Sequence, residues 1–156
     1  MMTKKDDQYY MQQCLDLAKD ALASGNPPVG AVLVLDGAVI GRGTESGRTS
    51  GDITNHAEIL AVRDAIGHGF GGQLHQSVMY TTHEPCIMCS YVIRHHKISE
   101  IVYGSAVAHV GGASSKFDLL TTVDVPKWGN SPKVRAGMCA REAMLLSEQF
   151  DTLIKP

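Results

Sequence analysis

Four side chains in two short segments carry the chemistry this sequence offers. Thr54-Asn55-His56-Ala57-Glu58 supplies an imidazole and a carboxylate, and Glu84-Pro85-Cys86-Ile87-Met88-Cys89 supplies a Cys-x-x-Cys pair. His56, Cys86 and Cys89 are three soft or borderline donors. They suit a tetrahedral zinc ion with one position left for water, which separates a catalytic site from a structural one. Glu58 stands two residues beyond the histidine, where it can move protons for that water. Zinc, water and a carboxylate shuttle are the equipment of hydrolytic deamination.

Each piece also has a plainer explanation. The cysteine pair alone fits a redox motif or a reactive thiol, although such motifs need no partnered His-x-Glu. A structural zinc would need a fourth protein ligand, and no candidate stands at matching spacing. Asn55-x-x-Glu58 reads as a capping box, in which the carboxylate serves its own helix. On an ideal helix, positions 56 and 58 point about 200° apart. Spacing alone therefore does not bring both side chains to one ion.

The elements that must position these groups follow from periodicity and punctuation. Asp6 to Ser24 places Met11, Leu15, Ala18 and Leu22 on one helical face, and Gly25 closes it. Val29–Leu35 and Ala38–Gly43 read as strands joined by the two-residue turn Asp36-Gly37. A helix is expected over His56–Ile66, a strand over Ser77–Thr81, a helix from about Pro85 to His95 and a strand over Ile98–Gly104. A short fifth strand is expected at Lys133–Ala136, and a closing helix over Met138–Phe150. Pro85 suits a first helical turn, and Cys86 and Cys89 would share one face at that positive end, where dipole and metal both favour thiolate. The glycine-rich stretch Gly67–Gln73 reads as a mobile surface loop; Gly111–Ser115 and Val125–Lys133 are irregular segments that could line or cover a pocket. The order implies an α/β fold, a three-layer α-β-α sandwich around a central mixed five-stranded sheet, in one domain over residues 1–156.

Composition sets the outer limits. Hydrophobic residues make 44% of the 156 positions and charged ones 19%, ordinary values for a globular chain. No apolar run reaches the roughly 20 residues of a membrane span, and the polar opening Met1–Gln8 lacks a signal-peptide core, so the cytoplasm is expected. Cys14 and Cys139 fall in helical patterns and are expected as buried free thiols. Formal charge is −2, from 14 basic and 16 acidic residues, with no basic excess of the kind nucleic-acid binders show.

His-x-Glu followed by Pro-Cys-x-x-Cys resembles the signature of the cytidine deaminase-like superfamily, from about Val29 to Leu146. The carrying segments are Pro28–Val34, His56–Ile59, Tyr80–Cys89 and Ile101–Gly104. The branch most similar holds bacterial tRNA adenosine deaminases and small guanine and cytosine deaminases. The resemblance implies His56, Cys86 and Cys89 as zinc ligands and Glu58 as the catalytic proton shuttle. Glu58 would take a proton from water, protonate the ring nitrogen and then protonate the departing ammonia. The matched segments carry Ala57, Glu84 and Pro85 with them as substrate contacts, His83 as a contact or support, and Asp118 as a pocket residue from the C-terminal half. A homodimer is also implied, with Met88, Tyr91, Val92 and Ile93 offering apolar area.

Two departures shape the expected substrate. Where the branch has Gly-x-Asn after the second strand, with the amide binding the base or sugar, this chain has Gly43-Thr44-Glu45. An ionised Glu45 would accept from ring N–H or NH₂ groups, unless it turns to solvent. Where the tRNA enzymes carry a basic Gly-Ala-Arg-Asp-Ala-Lys-Thr-Gly segment, this chain has Gly104-Ser105-Ala106-Val107-Ala108-His109-Val110-Gly111, followed by an echo of those enzymes in Gly112–Ser115. With the charge balance, a free guanine-like or isocytosine-like base or nucleoside is expected, with nucleic acid disfavoured. The alternatives are a tRNA adenosine-34 deaminase forming inosine, and an inactive zinc scaffold or partner subunit.

Overall fold

The computed structural model describes residues 5–155. The elements run α1 (Asp7–Ala23), β1 (Gly30–Leu35), β2 (Ala38–Thr44), α2 (Gly47–Ser50), α3 (Ala57–Gly67), β3 (Val78–His83), α4 (Ile87–His96), β4 (Glu100–Ser105), β5 (Lys133–Arg135) and α5 (Ala140–Ile154). The five strands form one sheet in the order β2-β1-β3-β4-β5. β1 pairs antiparallel with β2 and β3, whereas β3–β4 and β4–β5 are parallel, so the sheet is mixed as expected. Of the polar opening Met1–Gln8, residues 1–4 lie outside the described residues, and Asp7 and Gln8 belong to α1.

Strand alternation decides which helix covers which face. Val32, Val34, Tyr80 and Val102 pack with Tyr10, Met11 and Cys14 of α1. Alternate residues Leu33, Leu35, Met79 and Ile101 pack on the other side with Val62 and Ala65 of α3 and Ile93 of α4. Through Ala143 and Leu146, α5 joins α1 against the first face. All six residues of β1 are buried, as a central strand covered on both sides requires.

Local chemistry explains the joints. Asp36 (φ 49°) and Gly37 (φ 80°) both adopt positive φ, the two-residue hairpin geometry that Asp-Gly favours. Asp6 caps α1 by accepting from the Tyr9 N–H at 3.0 Å. Gly43 lets α3 lie almost on β2, since a Cβ there would sit 1.9 Å from the Ala57 carbonyl oxygen. That approach presses the start of α3 against the sheet edge.

Several expected boundaries shift. The polar segment after β2 contains a turn of helix, α2. Part of the glycine-rich stretch winds into a 3₁₀ helix, Gly71–Gln76, anchored by Leu74 at 1% exposure. Cys139 is half-buried outside α5, where it takes a left-handed backbone conformation as the N-cap. Cys14 is buried as expected, its thiol 3.3 Å from the Tyr80 carbonyl. Among the described residues, no helix is long and apolar enough to cross a membrane.

Candidate metal centre and active site

The two chemical segments meet at the N-terminal ends of α3 and α4. His56 is the N-cap of α3 and Cys86 the N-cap of α4, both with extended backbone and neither capping through its side chain. This resolves the angular problem. His56 (φ −70°, ψ 149°) sits outside the helix, so its side chain escapes the helical progression that would hold it away from Glu58. Pro85 consequently precedes the cap, rather than occupying the first turn of α4, and Cys89 completes the trio from inside the helix.

His56 Nδ1 lies 3.5 Å from both Cys86 Sγ and Cys89 Sγ. All three donor atoms lie within 4.8 Å of one another. Hydrogen bonding from Cys89 holds the Cys86 thiol down to about 4, and Cys86 in turn raises the His56 imidazole to about 9. The same neighbour and burial push the Cys89 thiol up. The pocket around them is lined by Glu45, Glu58, Glu84 and Asp151, with no lysine or arginine among the described lining residues. Two thiol ligands, one imidazole and an excess of carboxylate fit a divalent cation, and the donor set is that of zinc.

Glu58 is buried at 4% exposure, and burial raises its carboxyl pKa. Its Oε1 accepts from the Thr81 hydroxyl at 2.8 Å, and its Oε2 lies 3.3 Å from Cys89 Sγ. The capping box does not form: Asn55 donates its N–H to the Asp52 carbonyl, and its side chain binds Ser50 and Arg63. Glu58 therefore faces the metal donors, not its own helix end.

The remaining expected contacts separate into three groups. Glu45 does reach the pocket, 5% exposed, its Oε2 accepting from the Gly47 N–H at 2.9 Å; burial raises its pKa. His83 and Glu84 also line the pocket but are engaged by the protein. Both His83 nitrogens have partners, Thr82 Oγ1 and Ser147 Oγ. Glu84 accepts from the N–H groups of Val107, Ala113 and Ser114 and from the Ser114 hydroxyl. Burial pulls its pKa up, yet those donors outweigh it and hold the carboxyl below its ordinary value. Glu84 is thus a latch for the loop after β4 rather than a substrate contact. Ala57, Pro85 and Asp118 are absent from the pocket lining. Ala57 packs on Ala31 and Val29, and the Pro85 carbonyl accepts from the Gly112 N–H. Asp118 is exposed, because Arg94 grips the adjacent Leu119 and Thr122 carbonyls and holds that turn behind α4.

Pro27, Pro28, Val29, Val107, Val110 and Phe150 supply apolar wall that the sequence pattern did not single out. Ser147 and Asp151 join Phe150 from α5, so the C-terminal helix forms part of the pocket. The sequence marked only a closing helix over Met138–Phe150, without saying against what it packs. Val125–Lys133 lies elsewhere, with Trp128 stacked on Arg94 at 5.1 Å. The cavity measures about 420 Å³, within the range of small-ligand sites.

Residues 4–105 match the family described as the cytidine and deoxycytidylate deaminase zinc-binding region. Over 146 residues the chain is 31% identical to the tRNA-specific adenosine deaminase of Streptococcus pyogenes serotype M18, covering 94% of this chain and 90% of that protein. Over 137 residues it is 36% identical to the tRNA-specific adenosine deaminase of Haemophilus influenzae, covering 87% and 78%. A solved structure from biochemical and structural studies of A-to-I editing by tRNA:A34 deaminases at the wobble position superposes with a TM-score of 0.81. It is 32% identical and covers 88% of this chain and 98% of that one. These relatives overturn the expectation of a free guanine-like or isocytosine-like substrate. Net charge, the exchange at Glu45 and the missing basic side chains of the Gly104–Gly111 segment weigh less than similarity along nearly the whole chain. The chain belongs to the family of the cytidine and deoxycytidylate deaminase zinc-binding region, and is a zinc-dependent hydrolytic deaminase.

Proposed function

We propose that this protein deaminates adenosine at the wobble position, 34, of transfer RNA to inosine, releasing ammonia. The observation that carries this is the similarity over 94% of the chain to an enzyme named for tRNA adenosine. In this assignment His56, Cys86 and Cys89 hold zinc. Zinc, when bound, makes water nucleophilic near neutral pH. Glu58 takes a proton from the water that attacks the amino-bearing ring carbon and delivers it to the neighbouring ring nitrogen; it then takes the second proton from the new hydroxyl and passes it to the amino group, which leaves as ammonia. Thr81 holds the carboxylate for these transfers. The target base must leave its stack to reach them, and the apolar walls of Pro28, Val29, Val107 and Val110 replace the stacking it gives up. An inactive scaffold is disfavoured because Glu58 and all three metal donors are in place.

A synthetic anticodon stem-loop with adenosine at position 34 tests the substrate, read by inosine formation and ammonia release. Inosine at that position, with little ammonia from free adenosine, guanine or cytosine, is expected. Ammonia from a free base with an unedited stem-loop would overturn it.

The homodimer belongs to the same proposal. α4 keeps Tyr91 47% exposed, beside an apolar groove formed by Ile59, Val62, Ile66, Met88 and Val92. Ile93, whose apolar side chain suited either that surface or the core, is core at 1% exposure, because it points to the sheet. Light scattering should report twice the chain mass, and a monomer at working concentration rejects the dimer.

A further inference from the structure

A directed chain of hydrogen bonds crosses three elements behind the pocket wall. The Gly30 N–H donates to Thr82 Oγ1 at 3.2 Å, Thr82 Oγ1 lies 2.9 Å from His83 Nδ1, and His83 Nε2 lies 2.7 Å from Ser147 Oγ on α5. Proton counting sets the direction. Gly30 can only donate, which fills one lone pair of Thr82. Thr82 is 0% exposed, and its other side-chain hydrogen bond among the described residues is to His83, so its hydroxyl proton goes to Nδ1. Otherwise a buried O–H would stand unpaired, at a cost the alternative avoids. A neutral imidazole that accepts at Nδ1 carries its proton at Nε2, and that proton is donated to Ser147 Oγ. Burial pushes the His83 pKa down to about 4, so the ring is neutral at working pH.

Ser147 therefore receives a hydrogen bond from the protein and keeps its own proton to give. Its side chain makes no other hydrogen bond among the described residues, and it lines the same cavity as Glu45, His56 and Glu58. We propose that Ser147 is a substrate-binding hydrogen-bond donor, presenting its hydroxyl to a ribose or phosphate oxygen of the nucleotide in the pocket, with His83 as the positioning residue that aims it. This rests on the nucleotide substrate proposed above. His83 Nε2–H fills one of the two Ser147 Oγ lone pairs, so what the protein leaves without a partner is the O–H together with the second lone pair. An acceptor at that point of the ligand takes the O–H.

The test compares steady-state kinetics of wild type, Ser147→Ala and Ser147→Thr on the adenosine-34 stem-loop. One neutral hydrogen bond corresponds to about 3- to 10-fold in affinity. Ser147→Ala should raise KM by about that factor with kcat nearly unchanged, and Ser147→Thr, which keeps the hydroxyl, should restore it. A stem-loop with 2′-deoxyadenosine at the target separates the two acceptors. The Ser147→Ala penalty disappears there if the ribose 2′-oxygen is the partner, and persists if a phosphate oxygen is. Imidazole ¹⁵N shifts in wild type should show His83 protonated at Nε2 alone. Protonation at Nδ1 would overturn the relay, and unchanged KM in Ser147→Ala with an active wild type would overturn the donor alone. A wild type that leaves the stem-loop unedited removes the substrate assignment and the donor with it.

Discussion

The Thr81 hydroxyl lies 2.8 Å from Glu58 Oε1, joining the middle sheet to the first turn of α3. Both residues are buried, at 0% and 4% exposure, so the carboxylate keeps one orientation. Glu58→Gln should retain zinc and fold while losing activity by about 10²–10⁴-fold or more, since one group serves several proton transfers. Thr81→Val removes a hydrogen bond to a charged group and should cost about 10-fold or more in kcat, with Thr81→Ser near wild type. Inosine assays on zinc-loaded protein decide both. Glu58→Gln within a few-fold of wild type would sink the shuttle.

Metal content gives a second check. One zinc per chain is expected, and Cys86→Ala or Cys89→Ala should lose it and lower the melting temperature, since the folded state, which brings the three donors together, binds the metal more tightly than the unfolded chain. Metal analysis showing undiminished zinc in both variants would end the assignment of His56, Cys86 and Cys89.

The Glu84 latch predicts a localised effect. A Cβ at Gly111 would stand 2.3–2.5 Å from the Glu84 carboxylate atoms, so Gly111→Ala must displace the latch or the loop. Glu84→Gln turns one acceptor oxygen into a donor facing N–H groups, and should destabilise by about 2–3 kcal/mol. Hydrogen exchange should quicken in residues 106–115 for both variants, with KM rising because Val107 and Val110 line the pocket. Unchanged exchange in that loop would show that the carboxylate is not holding it.

A fourth test uses pH. Arg135 Nη2 lies 3.0 Å from Asp7 Oδ1 and 2.9 Å from Glu100 Oε2, tying α1 to β4 and β5. The Arg135 guanidinium holds the Asp7 pKa below its ordinary value. A carboxyl depressed on folding contributes stability above its unfolded pKa, near 4, and loses it as pH falls through the lower folded value. Asp7→Asn should therefore cost about 0.5–1 kcal/mol near neutral pH, a modest amount for partly exposed partners, and progressively less below pH 4. Denaturant melts at pH 7 and pH 3 showing equal losses would contradict this.

The sequence by itself determined the sheet strands, the four longer helices and the donor types, but not α2 or the 3₁₀ turn at Gly71–Gln76. Alternating and helical periodicities specify their own local structure, Asp36-Gly37 specifies a tight hairpin, and sulfur and imidazole specify the kind of metal. What it left open were relations between distant segments and side-chain directions. His56 and Glu58 converge because His56 stands outside the helix as its cap, at a helix start that lies close on Gly43. Glu84 and His83 were legible as neighbours of the cysteines, but their tasks depend on a loop and a helix far along the chain. Asp118 was misplaced for the same reason, its turn being held by Arg94. Substrate choice was read wrongly from net charge, the exchange at Glu45 and the missing basic side chains of Gly104–Gly111, because none of these describes a surface. Chemistry resides in residue types, which a sequence lists; a pocket is made of residues brought together from Pro27 to Asp151, which only the fold decides.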